Sequence, residues 1–387
     1  MTPSLPTELL RTILRYSSTV DVDFDAPVTH PVPESSWFVK FEKDNMDKLE
    51  TKIAITRVCR RFRRIASDFR FEFVGIATAN QALKLGEMLK KQSSNGVPGP
   101  REWVKFLFVR CPESNTRLIT KILRLCRNLR GFSWNPTTSR TRFQNREAVQ
   151  DEMIQNIPIN VRYLHWNARV DQANTFAAFL HKASASLQIF YINRAMCNPT
   201  SQRPLMHVSF PSLTHLQVED TYPFQPLVTW TMPSLLNLDL ISHYSGFQPA
   251  TLLSNVGTSL RVLRLGWPFR LGRPLLSHIL KTCPNLEELH YRHFTFQRSE
   301  SSIWVSDATH LNLKKVGVHA VRAVADVALS ELRIYFGPIS KSRFPSLDTI
   351  IVVADSGSPL IPHNAYLLMT RDSEDFLSAK VTVVTTM

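Results

Sequence analysis

The chemically reactive side chains of this chain do not form a recognisable catalytic or metal-binding pattern. Its five cysteines form no C-x-x-C pair, so they support neither a zinc site nor a disulfide framework. They are Cys59, Cys111, Cys126, Cys197 and Cys283. The twelve histidines are scattered, and the G-x-x-x-x-G-K-S/T, G-x-G-x-x-G, H-E-x-x-H and G-x-S-x-G patterns are missing. Because no nucleophile–base pair can be proposed, we predict a protein without catalytic activity, metal or cofactor.

The residues best suited to binding are Tyr, His, Asn, Gln and charged side chains at alternate positions of short apolar segments. Successive side chains of a strand point to opposite faces, so these residues share one face while the apolar ones enter a core. Tyr and Arg are effective anchors at protein interfaces. We predict that this face binds a partner protein; the alternatives are ordinary solvated strand residues, or binding by loops or a helical rim. The residues predicted to form this binding face are Tyr163, His165, Tyr191, Asn193, His215, Gln217, Glu219, Asp239, Arg264, Glu288, His290 and Arg292.

The formal net charge of +14 allows nucleic acid, an anionic membrane surface or acidic proteins as partners. The basic residues are spread along the chain, and no block of five or six consecutive like charges marks a basic tail. A solvated basic surface is the simpler interpretation. Nucleic-acid binding stays open as an alternative, and no membrane partner is predicted.

The sequence indicates an intracellular protein of the cytoplasm, the nucleus or both. Glu8 and Arg11 interrupt the place where the apolar segment of a secretion signal would lie. No window reaches the roughly 18 consecutive apolar residues that a membrane span needs. The odd number of dispersed cysteines and the lack of an N-x-S/T sequon without proline fit a reducing compartment.

A repeat of the form L-x-x-L-x-L runs through most of the chain. Its clearest copies are Pro211–Val218, Pro233–Leu240 and Pro284–Tyr291. Successive first positions are 22 to 34 residues apart, close to the leucine-rich-repeat period of about 20–29 residues. These repeat-start residues are Val104, Leu129, Val161, Leu187, Leu213, Leu235, Leu260, Leu286, Leu313 and Leu347.

A helical segment precedes several of these short strands. Apolar residues recur there at i, i+3, i+4 and i+7, which places them on one helix face. The three clearest examples begin at Ile119, Phe176 and Leu276. A single helix and strand cannot bury their apolar faces alone, so neighbouring units must stack. We therefore predict an α/β fold in which residues 71–387 form a curved leucine-rich-repeat solenoid, with parallel strands inside and helices outside.

The two ends of the predicted solenoid are also visible in the sequence. Residues 73–91 read as its first unit, and residues 380–386 read as a last strand that caps the stack. The asparagine ladder of the strict repeat consensus is missing, because Leu240 is followed by ISHY and Leu265 by GWPF. We expect irregular turns for that reason.

Two apolar-faced helices are predicted near the start of the chain. The first carries Leu9, Leu10, Ile13 and Leu14 on one stripe, after a proline suited to a first helical position. The second spans residues 55–67 and has arginines on its other face. So short a stretch cannot bury both stripes and remain stable unaided, and a partner is expected to cover them.

The stretches LPTELLRTIL and VCRRFRRIASDFRFEF resemble the F-box, a three-helix module that docks substrate receptors onto the Skp adaptor. The resemblance implies an F-box-like helical module over residues 1–70, with a middle helix within residues 47–58. An inserted loop at about 17–46 departs from the compact family pattern. The residues that this resemblance assigns to adaptor binding are Leu5, Pro6, Glu8, Leu9, Leu10, Ile13, Leu14, Val58 and Phe62.

The whole chain looks like the F-box/leucine-rich-repeat receptors, especially the degenerate kind common in fungi. That resemblance implies a substrate-recognition subunit of an SCF-type cullin–RING ubiquitin ligase, with the Skp adaptor and the cullin scaffold as partners. The repeats would bind a protein substrate, whose identity the sequence does not give. A basic leucine-rich-repeat scaffold, or a nucleic-acid-binding protein that acts outside a ligase, is the alternative.

Overall fold

The computed structural model describes most of the chain. The described residues are 5–18, 44–45, 47–90, 99–137, 146–168, 173–193, 207–219, 227, 229–241, 249–266, 269, 271–293, 302–304, 309–320, 335–340, 342–354, 365–370 and 381–385. The first of two compact units ends at Leu213 and the second begins at Thr214. Most of the predicted insertion at about 17–46 lies outside the described residues.

Among the residues that the structure describes, helices separate every pair of successive strands in the first unit, and two helices lie between strands of the second. In the described residues, the helices are α1 (Thr7–Ser18), α2 (Leu49–Val58), α3 (Arg60–Arg70), α4 (Ala79–Lys90), α5 (Pro100–Trp103), α6 (Thr116–Leu125), α7 (Arg146–Gln155), α8 (Ala173–Ala183), α9 (Pro249–Val256) and α10 (Arg273–Thr282). A search of the described helices finds none that is both long enough and apolar enough for a membrane span.

The strands pair in sequence order within each unit. The first unit contains β1 (Phe73–Ile76), β2 (Phe106–Val109), β3 (Gly131–Trp134), β4 (Tyr163–Asn167) and β5 (Ile189–Asn193), all parallel. The second contains β6 (His215–Glu219), β7 (Asn237–Ile241), β8 (Val262–Leu265), β9 (Glu288–His293), β10 (Lys315–Ala320), β11 (Thr349–Ala354), β12 (Ala365–Thr370) and β13 (Val381–Thr385). Strands β6 to β11 are parallel. The predicted parallel α/β repeat is confirmed and fits a leucine-rich-repeat fold.

The predicted repeat-start residues occupy equivalent places in the structure. Each of the ten is 0% exposed, and each lies two residues before the first residue of a strand. Leu129 precedes β3 in this way, and Leu286 precedes β9. Because the spacing is constant, the same alternate residues of every strand enter the apolar core.

The predicted helical segments pack on that core. The apolar residues of α6, α8 and α10 that recur at i, i+3, i+4 and i+7 are all buried. In α8, the ring of Phe176 lies 5.3 Å from Trp166 of β4 and 6.4 Å from Phe190 of β5, measured between centroids. These contacts place the helix over the apolar face of the strands, as the repeat predicts.

A ladder of backbone hydrogen bonds joins successive turns. The residue after a repeat-start residue uses one carbonyl oxygen to accept two N–H groups of the next repeat. The Leu236 carbonyl accepts from Arg261 (2.8 Å) and Val262 (3.0 Å), and the Arg261 carbonyl accepts from Glu287 (2.7 Å) and Glu288 (2.9 Å). Since buried backbone groups need partners, this ladder satisfies the turns without consensus asparagines.

The helix predicted over residues 55–67 is wrong as a single element. Helix α2 ends at Val58, Cys59 adopts an extended conformation, and α3 begins at Arg60. The Cys59 sulfur accepts the N–H of Phe62 at 3.4 Å and so caps the new helix. A helix start leaves its first N–H groups unpaired, and a side-chain acceptor at this position favours the break.

The last two strands depart from the predicted parallel pairing. Strand β12 is antiparallel to β11, and β13 is antiparallel to β12. A parallel connection needs about a dozen or more residues, whereas only residues 355–364 separate β11 from β12. The strand predicted at residues 380–386 is present as β13.

Candidate functional site

Helices α1, α2 and α3 share a small apolar core within the first unit. Leu10 of α1 and Phe62 of α3 are half-buried and pack against it. The buried members of this core are Leu14, Ile55, Ile65, Ala66 and Phe69. One side of α1 therefore packs against the other two helices, and this packing determines which side of α1 faces away from them.

The other side of α1 presents an exposed apolar stripe. Leu5 is 46% exposed, Leu9 56%, Ile13 55% and Tyr16 83%, while Val58 at the end of α2 is 64% exposed. Leu9, Ile13 and Tyr16 follow one another at i, i+4 and i+7 and so share one helix face, while Leu5 lies two residues before the helix begins. We call these five residues the α1 stripe. Contiguous exposed apolar side chains often form interaction surfaces, so the α1 stripe is a candidate for one.

The nine residues assigned to the adaptor therefore divide by position. Leu5, Leu9, Ile13 and Val58 lie in the α1 stripe, and Pro6 and Glu8 are also exposed. Leu10, Leu14 and Phe62 belong to the three-helix core. They support the stripe from beneath rather than forming part of its surface.

Arg61 holds the start of α1 in place. Its guanidinium donates hydrogen bonds to the Leu5 carbonyl at 2.6 Å and to the Thr7 hydroxyl at 3.3 Å. Both acceptors lie more than fifty residues away in sequence. The sequence pattern identifies Arg61 only as part of a basic helix face, and this tether was not predicted.

The three helices are also anchored to the beginning of the sheet. Arg15 of α1 forms an ion pair with Glu72 at 2.9 Å, just before β1. The ring of Phe71 stacks on Trp103 of α5 with centroids 6.0 Å apart. In spite of these contacts, the α1 stripe stays exposed, so the anchoring uses other faces of the helices.

Lys52 of α2 is a buried cation at this junction. Its side chain is 1% exposed, and its Nζ lies 4.7 Å from the centroid of the Phe73 ring. Burial lowers the pKa of Lys52 to about 8, although the negative charge of Glu72 opposes the change. The cation–π contact stabilises the charged form next to β1.

The predicted substrate-binding residues of the first unit are buried. Tyr163 is 0% exposed because its ring packs edge-on against Phe106 and Phe108, with each centroid 6.3 Å away. His165 lies 4.4 Å from Tyr191 between ring centroids, and its Nδ1 is 2.9 Å from the Ser133 hydroxyl. The carboxyl end of β5 carries Asn193, which is also buried.

A glycine makes room for this aromatic packing. Gly131 of β3 lies between Phe106 and Tyr163 in the register. A Cβ at this position would overlap the Phe106 ring, which covers the glycine. The aromatic face therefore depends on a missing side chain as well as on its rings.

The corresponding face of the second unit is polar and charged. Strands β6 to β10 place on it His215, Gln217, Asn237, Asp239, Arg264, Glu288, His290 and Lys315, which we call the polar face. Glu219 and Arg292 lie half-buried towards the carboxyl ends of their strands. All eight residues predicted to bind substrate from this unit thus belong to, or border, one surface.

Glu288 is the best-paired carboxylate of the polar face. Its oxygen lies 3.2 Å from Nε2 of His290 and 3.7 Å from Nζ of Lys315. Burial would raise the pKa of Glu288, but the His290 hydrogen bond and the neighbouring positive charges outweigh it and lower the pKa. Burial lowers the pKa of His290 to about 4, so its imidazole is neutral near pH 7 and donates this hydrogen bond.

His215 belongs to a second hydrogen-bonded group. The Asn237 amide nitrogen lies 2.9 Å from Nε2 of His215, and the Thr214 hydroxyl lies 2.8 Å from Nδ1. Burial, together with the positive charge of Arg264, lowers the pKa of His215 to about 4. The ring is therefore neutral near pH 7 and acts by hydrogen bonding.

Asp239 is the least well-paired carboxylate of the polar face. Its ion pair with Arg264 is long, at 4.0 Å, and its side chain is 16% exposed. Burial raises the pKa of Asp239 to about 6, the charge of Arg264 opposes this, and the charge of Glu219 adds to it. A carboxylate whose pKa is raised by burial beside a specific charged partner is a candidate functional group.

Replacing Asp239 with asparagine is expected to stabilise the protein near pH 7. Because the folded-state pKa is raised, ionised Asp239 opposes folding, and stability falls as the pH rises from about 4 to about 6. A shift of roughly two pKa units corresponds to a gain of up to about 3 kcal/mol in the free energy of unfolding. Urea denaturation at pH 7 measures this gain, which should shrink towards pH 4.

The control for this change is Asp348→Asn, at an exposed position. It should leave the free energy of unfolding within about 0.5 kcal/mol of the parent. An Asp239→Asn protein that is less stable than the parent at pH 7 would contradict the assignment.

Most cysteines in the described part of the chain are buried. Cys111, Cys126 and Cys283 are buried, and Cys59 is exposed at the start of α3. Burial raises the pKa of Cys126 to about 12 and that of Cys283 to about 11. Such thiols stay protonated and unreactive near pH 7. Within the described ranges, no three His, Cys, Asp or Glu side chains come together as metal ligands.

The comparisons with known proteins give a structural likeness only. No protein-family model matches the chain, and no curated protein matches it. Among solved structures, the crystal structure of the Rad7 and Elc1 complex in yeast is similar, with 12% identity and a TM-score of 0.41. The match covers 85% of this chain and 96% of the other. The fold assignment rests instead on the strand register and the buried repeat-start residues.

Proposed function

We propose that the protein is a non-catalytic substrate receptor of an SCF-type cullin–RING ubiquitin ligase, active in the cytoplasm or the nucleus. The observation that carries this proposal is the α1 stripe, whose Leu9, Ile13 and Tyr16 lie exposed on the helix whose sequence resembles the F-box opening. The stripe is the surface that the Skp adaptor would cover. The repeats would hold the substrate, and the cullin scaffold would bind the adaptor.

The energetics of the stripe support docking. Complete burial of a leucine or isoleucine side chain contributes about 1.5–3 kcal/mol, and roughly half of that remains to be gained at Leu5, Leu9 and Ile13. The opposite side of α1 is already packed on Leu14 and its neighbours. Binding therefore needs no rearrangement of this helix, which keeps its cost low.

The receptor would act by proximity rather than by chemistry. Ubiquitin transfer belongs to other subunits in this proposal, and the chain raises the local concentration of substrate near them. The buried, protonated thiols of Cys126 and Cys283 support a structural role for those residues. No described residue is assigned a part in bond making or breaking.

A basic scaffold that binds nucleic acid is the second candidate. Arg57, Arg60 and Arg64 are exposed on α2 and α3, and they favour an anionic partner. The polar face favours it less, because basic Arg264 and Lys315 alternate there with acidic groups. Binding through phosphates weakens steeply with salt, whereas apolar docking does not.

The test is direct binding between the purified full-length chain and a purified Skp adaptor. We expect a one-to-one complex on size-exclusion chromatography that survives an increase from about 0.1 to about 0.5 M salt, because its contacts are mainly apolar. A single-stranded RNA and a duplex DNA serve as comparison ligands. Failure to bind the adaptor, together with salt-sensitive binding to nucleic acid, would favour the second candidate.

A further inference from the structure

Three hydrogen-bond acceptors, the side-chain oxygens of Gln217, Asn237 and Asp239, lie side by side on the polar face. Gln217 of β6 is the register partner of Asp239 of β7. Asn237 precedes Asp239 by two residues on the same strand, so both side chains point to the same face. The three groups therefore form one patch that spans two neighbouring strands.

Asn237 contributes a buried and unpartnered oxygen to this patch. The residue is 7% exposed, and its amide nitrogen is directed to His215 at 2.9 Å. Its Oδ1 is buried, and within the described part of the chain no group donates a hydrogen bond to it. Most buried polar atoms in proteins have a partner, so an acceptor left open next to a carboxylate points to a missing donor.

The charges around the patch indicate what kind of donor is missing. Glu288 has two close partners, His290 and Lys315, whereas the ion pair of Asp239 with Arg264 is long at 4.0 Å. Within the described residues, Asp239 has no closer cationic partner. Glu219 brings further negative charge to its surroundings. A cation with several N–H groups would complete this arrangement.

We propose that Gln217, Asn237 and Asp239 form a binding site for a basic side chain, preferably arginine, of a partner protein. A guanidinium offers five N–H donors in one plane, enough to reach the Asp239 carboxylate and the two amide oxygens together. Calling that partner a ubiquitination substrate rests on the proposed function. The recognition of a basic side chain does not, because it is a property of this chain alone.

The experiment uses N-acetyl-arginine methylamide as the probe and the full-length chain as the receptor. Saturation-transfer NMR at pH 7 is expected to show saturable binding of this compound. The equivalent glutamate compound should give no saturable signal, because it would place a carboxylate against Asp239. Asp239→Asn is expected to lower the affinity for the arginine probe at least tenfold. Asp348→Asn, at an exposed position, is expected to leave this affinity unchanged.

A gain-of-function variant provides an independent readout. Gln217→Glu keeps the side-chain length and adds a second carboxylate beside Asp239. It should therefore raise the affinity for the arginine probe at least threefold. The proposal is overturned if the parent chain gives no saturable signal, if Asp239→Asn binds as well as the parent, or if both probes bind alike. Since Asp239→Asn is expected to be more stable than the parent, lost binding would not come from unfolding.

The outcome is separable from that of the proposed function. Neither Asp239→Asn nor Gln217→Glu should change adaptor binding, because both lie on the second unit. Adaptor binding without arginine binding would contradict the cation-binding site and support the proposed receptor function. Arginine binding without adaptor binding would support the cation-binding site and contradict the proposed role in a ubiquitin ligase.

Discussion

Replacing Leu9 and Ile13 together with aspartate is expected to abolish binding of the Skp adaptor while the chain stays folded. Both side chains are more than half exposed in the free protein, so the complex gains by burying them and loses by burying two carboxylates instead. The lost burial alone amounts to roughly 2–3 kcal/mol, and a loss of 2.8 kcal/mol corresponds to about a hundredfold in the dissociation constant. Titration calorimetry with the purified adaptor measures it.

The matched control changes two other exposed apolar residues of the first unit. Leu83 is 49% exposed on α4 and Ile159 is 61% exposed, and neither lies in the α1 stripe. Their double replacement with aspartate should leave adaptor affinity within about twofold. Equal loss of binding in both double variants would show a general surface effect and contradict the docking assignment.

The choice of Ile13 rather than Leu10 follows from the structure. The apolar pattern alone suggests changing Leu9 and Leu10, which are adjacent in sequence. Leu10 packs on the three-helix core, so a charge there would disturb folding and confuse the result. At Leu9 and Ile13 the cost in folding should stay within about 1 kcal/mol, the range of exposed helix substitutions.

Replacing Leu313 with alanine is expected to lower the free energy of unfolding by about 2–5 kcal/mol. Leu313 is a repeat-start residue with 0% exposure, and truncating it leaves a cavity beneath β10. Leu311→Ala is the control, because the same substitution two residues earlier affects a side chain that is 66% exposed. The control should change stability by less than about 0.5 kcal/mol.

Urea denaturation followed by circular dichroism distinguishes the two variants. The difference between them isolates burial, since the residue types and the neighbouring chain are the same. Equal effects of Leu311→Ala and Leu313→Ala would mean that the repeat-start position does not carry the core. That result would contradict the repeat register rather than any assigned function.

The repeat could be read from the sequence because its constraints are local and recur. A residue that must always be fully buried, such as Leu129 or Leu286, is apolar in every copy. The helix face that packs on it follows the helical period, which is equally visible. Together these two signals give the strands, the helices and the faces on which they meet.

The start of the chain was harder to predict because one helix carries two apolar faces. The residues Leu9, Leu10, Ile13 and Leu14 look like a single stripe, yet the structure turns two of them inward and two outward. Periodicity shows that a face is apolar but does not show what covers it. Tyr16 continues the outward set at i+7 from Leu9 and i+3 from Ile13, and that spacing is the signal that could have found it.

The predicted binding face shows a different limit of prediction from the sequence: alternation gives the face of a side chain but not its exposure. Alternation along strands correctly grouped Tyr163 with His165 and Asp239 with Arg264 on their strand faces. Whether such a side chain is exposed depends on its neighbours across strands, as with Tyr163 between two phenylalanine rings. Those neighbours lie 25 or more residues away, and only the register brings them together.

The constant two-residue step between each repeat-start residue and its strand determines where the chain can change length. One residue inserted between Leu235 and Asn237 would turn the strand over, exposing Leu238 and Leu240 and burying Asp239 in the core. Residues inserted after a strand only lengthen a loop, whose closure cost grows slowly with its size. Grafted segments should therefore be tolerated after each strand and rejected before it, which gives protein engineers a rule for insertion.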